Sequence, residues 1–169
     1  PLDDPSGYAA RLAPYLFEGA KDRLQIGKFC QIAHGTRIIT HGANHAMEGV
    51  STYPFPIFDP STIASYRDSF ERKRDVVIGH DCWLGDSCTI LPGTQMGNGV
   101  IVGAGAVVGG DIPDFAVIVG NPGRVIRRRF EDADVARLNA LAWWDWPLWK
   151  INKHHDAIVS RDLETLLAL

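Results

Sequence analysis

Cysteine and methionine are scarce in this chain of 169 residues, at three and two copies. Three cysteines cannot all pair, so a disulfide framework is not the expected source of stability. An excess of one charge is missing as well. Lys and Arg number 17 against 20 Asp and Glu, a formal net charge of −3, which provides no basic field to hold nucleic acid or an anionic membrane. No charged-then-apolar leader opens the chain, and Pro1 stands where a Met would, the mark of a trimmed or incomplete N-terminus. The expected setting is reducing and cytoplasmic. The length fits one domain, or one with an appendage, and a composition of 46% apolar and 22% charged residues is that of an ordinary globule.

Charge disappears entirely from Ser87 to Gly110, a run long enough to raise the question of a membrane span. Pro92, Gln95 and Asn98 interrupt it, and seven glycines would weaken any helix by about 1 kcal/mol each relative to Ala. The run has a period of six instead. Ile78, Leu84, Ile90, Met96, Val102 and Val108 step by six, as do Ile26, Ile32 and Ile38 in a separate phase. The following residue is usually small, as at Gly27, Ala33, Gly79, Gly85, Gly97, Gly103 and Gly109, with Ile39 and Leu91 as exceptions. Six residues match one short strand plus a corner, and three such sides close a coil. The spacing predicts a parallel β-helix of hexapeptide repeats, an all-β solenoid, with about one coil before residue 43 and three between 76 and 128. The phase change marks residues 43–75 as an excursion loop, too aromatic at Tyr53, Pro54, Phe55, Pro56 and Phe58 for a plain linker.

After Phe130 the pattern turns helical. Val135, Leu138, Leu141 and Ala142 share one face, a second helix is expected over 148–158, and a third begins at Ser160 as N-cap. A solenoid needs covered ends, so the expected organisation is a β-helix domain over 1–129 and a helical cap over 130–169. Trp143, Trp144, Trp146 and Trp149 are expected to serve packing.

Eight segments, in order, carry a resemblance: Ile26-Gly-Lys-Phe-Cys30, Gly42-Ala-Asn-His45, Ser51-Thr-Tyr-Pro-Phe55, Trp83-Leu-Gly85, Leu91-Pro-Gly93, Val119-Gly-Asn-Pro122, Arg128-Arg-Phe130 and Trp143-Trp-Asp-Trp-Pro147. Together they resemble the hexapeptide-repeat xenobiotic acetyltransferases, the family of the streptogramin A and type B chloramphenicol acetyltransferases. That resemblance implies a left-handed β-helix, an exception to the usual crossover hand, and a homotrimer with active sites between subunits. It implies acetyl-CoA as co-substrate and a small hydroxyl-bearing acceptor. Asn44-His45-x-Met47 is closer to the streptogramin branch. Two stretches of the family that help shape the acceptor pocket, an N-terminal Tyr-bearing segment and a Gly-Asn-Gly-Trp after Phe58, are not found here, and Gly123 stands where Ala is common.

The resemblance places the family's general base at His45. An imidazole accepts a proton at neutral pH, as attack of a hydroxyl on a thioester requires. Glu48 or a backbone carbonyl would orient the ring. The excursion, with Asn44, Met47, Tyr53, Pro54 and Phe55, is expected to hold the acceptor, and Trp83, Gly103 and Ala104 the pantetheine of acetyl-CoA. Arg124, Arg127, Arg128 and Arg129 form the densest cationic run, and Arg127 and Arg128 are the candidates for the CoA phosphates. A solvated face is the alternative for that run. His34, His80, His154 and His155 are expected in solvent, while His41 is ambiguous. His41 and His45 are four apart, but Gly42-Ala43-Asn44 is a poor helix, so no metal site is expected. Cys30, Cys82 and Cys88 occupy the small inward place of the hexad, not a catalytic one. The remaining alternatives are acetylation of an amino sugar or other metabolite, and a non-catalytic β-helix scaffold.

Overall fold

The computed structural model describes residues 5–18, 21–68, 74–160 and 163–168. Helix α1 (Pro5–Leu12) leads into β1 (Leu24–Ile26), β2 (Gln31–Ile32) and β3 (Arg37–Ile38). An excursion containing the short helix α2 (Ile63–Asp68) follows. Strands β4 (Val76–Ile78), β5 (Trp83–Leu84), β6 (Thr89–Ile90), β7 (Gln95–Met96), β8 (Ile101–Val102), β9 (Val107–Val108), β10 (Asp111–Ile112) and β11 (Ala116–Val119) come next. Successive strands rotate through three sheets, ordered β1-β4-β7-β10, β2-β5-β8-β11 and β3-β6-β9, and every pair within these runs is parallel. This is the three-sided coil that the hexads predict.

Register explains the period. Ile26, Ile78, Met96 and Ile112 stack as one column, Ile32, Leu84, Val102 and Ile118 as a second, and Ile38, Ile90 and Val108 as a third. From the second coil on, all of these are buried, each worth about 1.5–3 kcal/mol relative to exposure. Cys82 and Cys88 are fully buried beside them, and Cys30 is half-buried at the open end. The corners repeat too. Phe29, Asp81, Gly99 and Phe115 all take positive φ at one corner, and Gly35, Ser87 and Gly105 at the next.

The last coil differs from expectation. After β10 and β11 the chain reverses, and β12 (Arg124–Arg128) pairs antiparallel with β11 along the sheet edge. The Gly120–Gly123 turn occupies the third side, with Gly123 N donating to Val107 O (2.7 Å) and Val107 N to Gly120 O (3.0 Å). The third coil expected between 76 and 128 is thus left with two strands. At the other end, α1 was not foreseen; its Leu12 is buried in the solenoid core.

The tail comprises α3 (Asp132–Leu141), α4 (Leu148–Val159) and α5 (Leu163–Leu167). Phe115, Leu138, Trp144 and Leu166 are buried in a second core, against which Val135, Leu141 and Ala142 pack, as the helical face predicts. Ser160 is the C-cap of α4; whether it also begins the next helix depends on residues 161–162, which lie outside the described set. Trp143 and Trp146 pack in this core, but Trp149 is 68% exposed and is not among the described residues that pack there.

The tail reaches every level of the solenoid. Lys28 Nζ pairs with Asp145 at 2.7 Å and Phe29 meets Trp143 at 4.8 Å. His80 stacks on Trp144 at 5.4 Å, Asn98 donates to Asn139 at 3.2 Å, and Asn139 donates to Asp114 at 2.9 Å. His80 is therefore not the solvated residue that its hexad place predicts. Its Nδ1 accepts from Lys28 N at 2.9 Å and its backbone N–H donates to Asn98 Oδ1 at 2.8 Å, so the residue is one rung of a corner ladder. His154 likewise leans edge-on against Trp146, 6.2 Å between centroids. His34 and His155 are exposed as expected.

Candidate active site

His45 follows directly on the end of the third side of the first coil. Thr40 is buried, and its hydroxyl donates to Tyr15 O at 3.0 Å. The chain then makes one 3₁₀ turn, His41–Ala43, closed by Ala43 N to Thr40 O (3.1 Å) and Asn44 N to His41 O (2.9 Å). Gly42 N donates to Asp22 Oδ2 at 2.7 Å. Asn44 Nδ2 and His41 Nδ1 lie 3.1 Å apart; with the amide donating, Nδ1 is the unprotonated nitrogen of His41. The His45 side chain is exposed, and no described residue hydrogen-bonds its ring, neither Glu48 nor a carbonyl. An imidazole in that state has a lone pair available for an incoming proton.

The rest of the excursion presents apolar surface. Met47 is 77% exposed. Tyr53 lies 4.6 Å from Phe55 and stacks on Phe58 at 5.7 Å, all three exposed, with Pro54 half-buried at the start of a 3₁₀ turn over Phe55–Phe58. Helix α2 ties the two parts together. Thr62 Oγ1 just before it donates to Pro56 O (3.1 Å), and Tyr66 Oη within it accepts from Ala46 N (3.4 Å). The residues expected to hold the acceptor thus share one support.

The residues expected to hold the cofactor meet on one sheet. Trp83 is half exposed on β5, beside Ile101 of β8; Gly103 and Ala104 form the corner that follows β8; Arg127 and Arg128 lie on β12 of the same five-stranded sheet. Gly103 has to be small, since a Cβ there would lie 2.8 Å from Val119 Cγ1. The four arginines are not equivalent. Arg129 is withdrawn into the junction with the tail, donating to Gly99 O (2.8 Å), 3.7 Å from Asp81 and over the rings of Phe115 and Phe130. Burial raises the Asp81 carboxyl above its usual range, and the Arg129 guanidinium offsets part of that. Arg128 pairs with Asp132, the first residue of α3. Arg124 and Arg127 are exposed with no acidic partner among the described residues. An open cavity of about 610 Å³ is lined by Arg127, Arg128, Arg129, Phe130, Glu131, Asp132 and Asp134.

Two of the three thiols, Cys82 and Cys88, are unsuited to catalysis. Hydrogen bonding to Cys30 and burial push the Cys82 thiol up, burial pushes Cys88 up, and only half-buried Cys30, hydrogen-bonded to Cys82, falls to about 7. Among the described residues no group of three His, Cys, Asp or Glu could hold a metal ion, and no helix is long and apolar enough to cross a membrane. Asp22 and Tyr66, which hold the backbone on either side of His45, escape sequence reasoning because neither belongs to a hexad nor to a recognisable spacing.

Residues 75–110 match the model of the bacterial transferase hexapeptide (six repeats). A probable macrolide acetyltransferase of Lysinibacillus sphaericus is 40% identical over 132 residues, 77% of this chain and 73% of that protein. A virginiamycin A acetyltransferase of Staphylococcus aureus is 40% identical over 155 residues, 90% of this chain and 70% of that protein. Among solved structures, a hexapeptide-repeat acetyltransferase of Vibrio cholerae complexed with acetyl coenzyme A is 25% identical, with a TM-score of 0.47 over 68% of this chain, which spans about half (53%) of that one. The coil of hexads and the likeness to the Lysinibacillus and Staphylococcus enzymes lead to one assignment: the chain belongs to the hexapeptide-repeat acetyltransferases.

Proposed function

We propose that this protein is an acetyl-CoA-dependent O-acetyltransferase acting on a hydroxyl of a small, largely apolar xenobiotic, of the streptogramin A or chloramphenicol type. The observation that carries the reading is His45: an exposed imidazole with an unengaged ring, on a hydrogen-bonded turn beside an apolar, aromatic surface. His45 removes the proton of the acceptor hydroxyl as its oxygen attacks the thioester carbonyl. Collapse of the tetrahedral adduct breaks the carbon–sulfur bond, and the imidazolium returns the proton to the CoA sulfur. The products are the acetyl ester and free CoA. Asn44, Met47, Tyr53, Pro54 and Phe55 hold the acceptor; Trp83, Gly103, Ala104, Arg127 and Arg128 hold acetyl-CoA. The coil is left-handed, and three copies assemble so that the groove on one prism face is closed by the neighbouring subunit. The chain divides at 129/130 into the β-helix and its helical cap. Three unpaired cysteines fit a reducing cytoplasm.

Release of free thiol from acetyl-CoA tests the reading against a panel of virginiamycin A, chloramphenicol, a macrolide and an amino sugar. The expected result is turnover of at least one of the three antibiotics and none of the sugar, by a particle that light scattering measures at three chain masses. Turnover of the amino sugar alone, or a stable monomer of full activity, contradicts it.

Changing Arg127 and Arg128 to Ala is expected to raise the Michaelis constant for acetyl-CoA and leave that for the acceptor nearly unchanged, since charge-assisted contacts contribute about 1.5–3 kcal/mol each. Arg127 alone should account for most of the change, because Arg128 already has Asp132 as a partner. An unchanged constant for acetyl-CoA leaves the run as a solvated face.

A further inference from the structure

The turn that leads to His45 is tied to the rest of the chain by more than its two internal bonds. None of His41–Ala43 is buried, and its N-cap Thr40 makes no side-chain cap bond, its hydroxyl being given to Tyr15 O. The first N–H groups of any helical turn lack internal partners. Here the Gly42 N–H is taken by a carboxylate from twenty residues upstream, Asp22, at 2.7 Å. Such charge-assisted bonds are short and about twice as strong as neutral ones. The segment that delivers Asp22 also closes over the turn: a Cβ on Gly42 would stand 3.0 Å from Tyr15 O and 3.4 Å from Asp22 Oδ2. Gly42 lies only three residues before His45, and on the other side Ala46 N reaches Tyr66 Oη at a longer 3.4 Å.

We propose that Asp22 is a positioning residue for the His45 base, acting as a tertiary N-cap on the turn that carries it. The proposal rests on the reading of His45 given above. Asp22 touches neither acceptor nor cofactor in this role; its oxygen is committed to Gly42. Without it, the turn keeps the two internal bonds that set its shape, Ala43 N to Thr40 O and Asn44 N to His41 O, and loses the charged bond that ties Gly42 to Asp22. A reacting group displaced by about 1 Å loses rate by about 10²-fold.

Asp22→Ala and Asp22→Asn, assayed beside His45→Ala with acetyl-CoA and the antibiotic turned over fastest in the panel, decide the matter. Asn retains an oxygen that accepts from an N–H and drops the charge. Asp22→Ala is expected to lower kcat by about 10–100-fold, with the KM for acetyl-CoA within about twofold and the thermal midpoint close to wild type. Exchange of the Gly42 amide with solvent should become faster, and Asp22→Asn should recover most of the lost kcat. Should Asp22→Ala not fold, Asp22→Ser, whose shorter side chain falls short of Gly42, takes its place with the same expectation. Wild-type kcat in the Ala or Ser variant overturns the proposal, because the turn then holds itself. An Asn variant as slow as Ala overturns it too, because charge rather than the capping bond is then what matters. Full turnover by His45→Ala overturns the reading of the base, whatever the Asp22 variants do; a slow His45→Ala beside a fast Asp22→Ala removes the positioning role alone.

Discussion

His45→Ala should turn over about 10²–10⁴ times more slowly than the wild type at pH 7, the usual effect of losing a general base and about 3–5.5 kcal/mol of barrier. The fold should survive, because His45 is exposed and belongs to none of the three core columns. Affinity for acetyl-CoA should change little, since the turn follows β3 on one side of the coil and the sheet bearing Trp83 and β12 forms another. Steady-state kinetics on the folded, assembled variant, with circular dichroism and light scattering as controls, check all three. Retention of more than about a tenth of wild-type turnover makes another group the base. His41 would be tested next, although its Nδ1 is already within 3.1 Å of the Asn44 amide.

A comparably large effect, on stability, is expected at Gly79. A Cβ on Gly27 would lie 2.5 Å from the Gly79 carbonyl, one on Gly79 2.5 Å from the Gly97 carbonyl, and one on Gly97 2.7 Å from the Asp114 backbone nitrogen. The obstacle is backbone in each case, so no rotamer change relieves it. Gly79→Ala must spread two coils, breaking the column from Gly27 to Gly97, and is expected to cost about 3 kcal/mol, the upper end for overpacking. For a domain of this size that is about 6–12 °C in thermal midpoint. Gly105→Ala provides the contrast. Nothing lies within 4 Å of its would-be Cβ, and only the positive φ of 67° is penalised, at about 1–2 kcal/mol. Equal midpoints for the two variants would show that coil spacing is not set by the glycine column.

The solenoid was readable because every coil repeats the same physical problem. Bulky aliphatics at every sixth residue fill the columns, and small residues next to them let the coils approach, so the period survives in the sequence. Where repetition stops, reading stops. The Gly120–Gly123 turn that replaces a strand is still followed by Val125 and Ile126, which read as another apolar strand and are in fact exposed on β12. His80 occupies an outward hexad place and is covered only because a tryptophan 64 residues later lies on it. The expectation at His45 comes from the Gly42-Ala-Asn-His45 wording, whereas Asp22 and Tyr66 reach the chain beside it through long-range bonds that leave no pattern in the sequence. Arg129 looks identical to its neighbours in sequence, yet just past the end of β12 it turns inward to Gly99 and the two phenyl rings.

The reach of the tail limits the size to which this domain can grow. A stack of hexads can in general lengthen by duplicating one coil, here eighteen residues, the separation of Asp81 from Gly99. Each added coil would move everything beyond it by about 4.8 Å. The tail, however, grips the first coil through Asp145 on Lys28 and the last through Asn139 on Asp114, and only five residues of helix end and turn lie between those two grips. A duplicated coil would force one of them open. The tail is thus a gauge as well as a cover: the number of coils and the length of the stretch from Asn139 to Asp145 can change only together, and a variant carrying an extra coil should remain docked only if that stretch is lengthened to match.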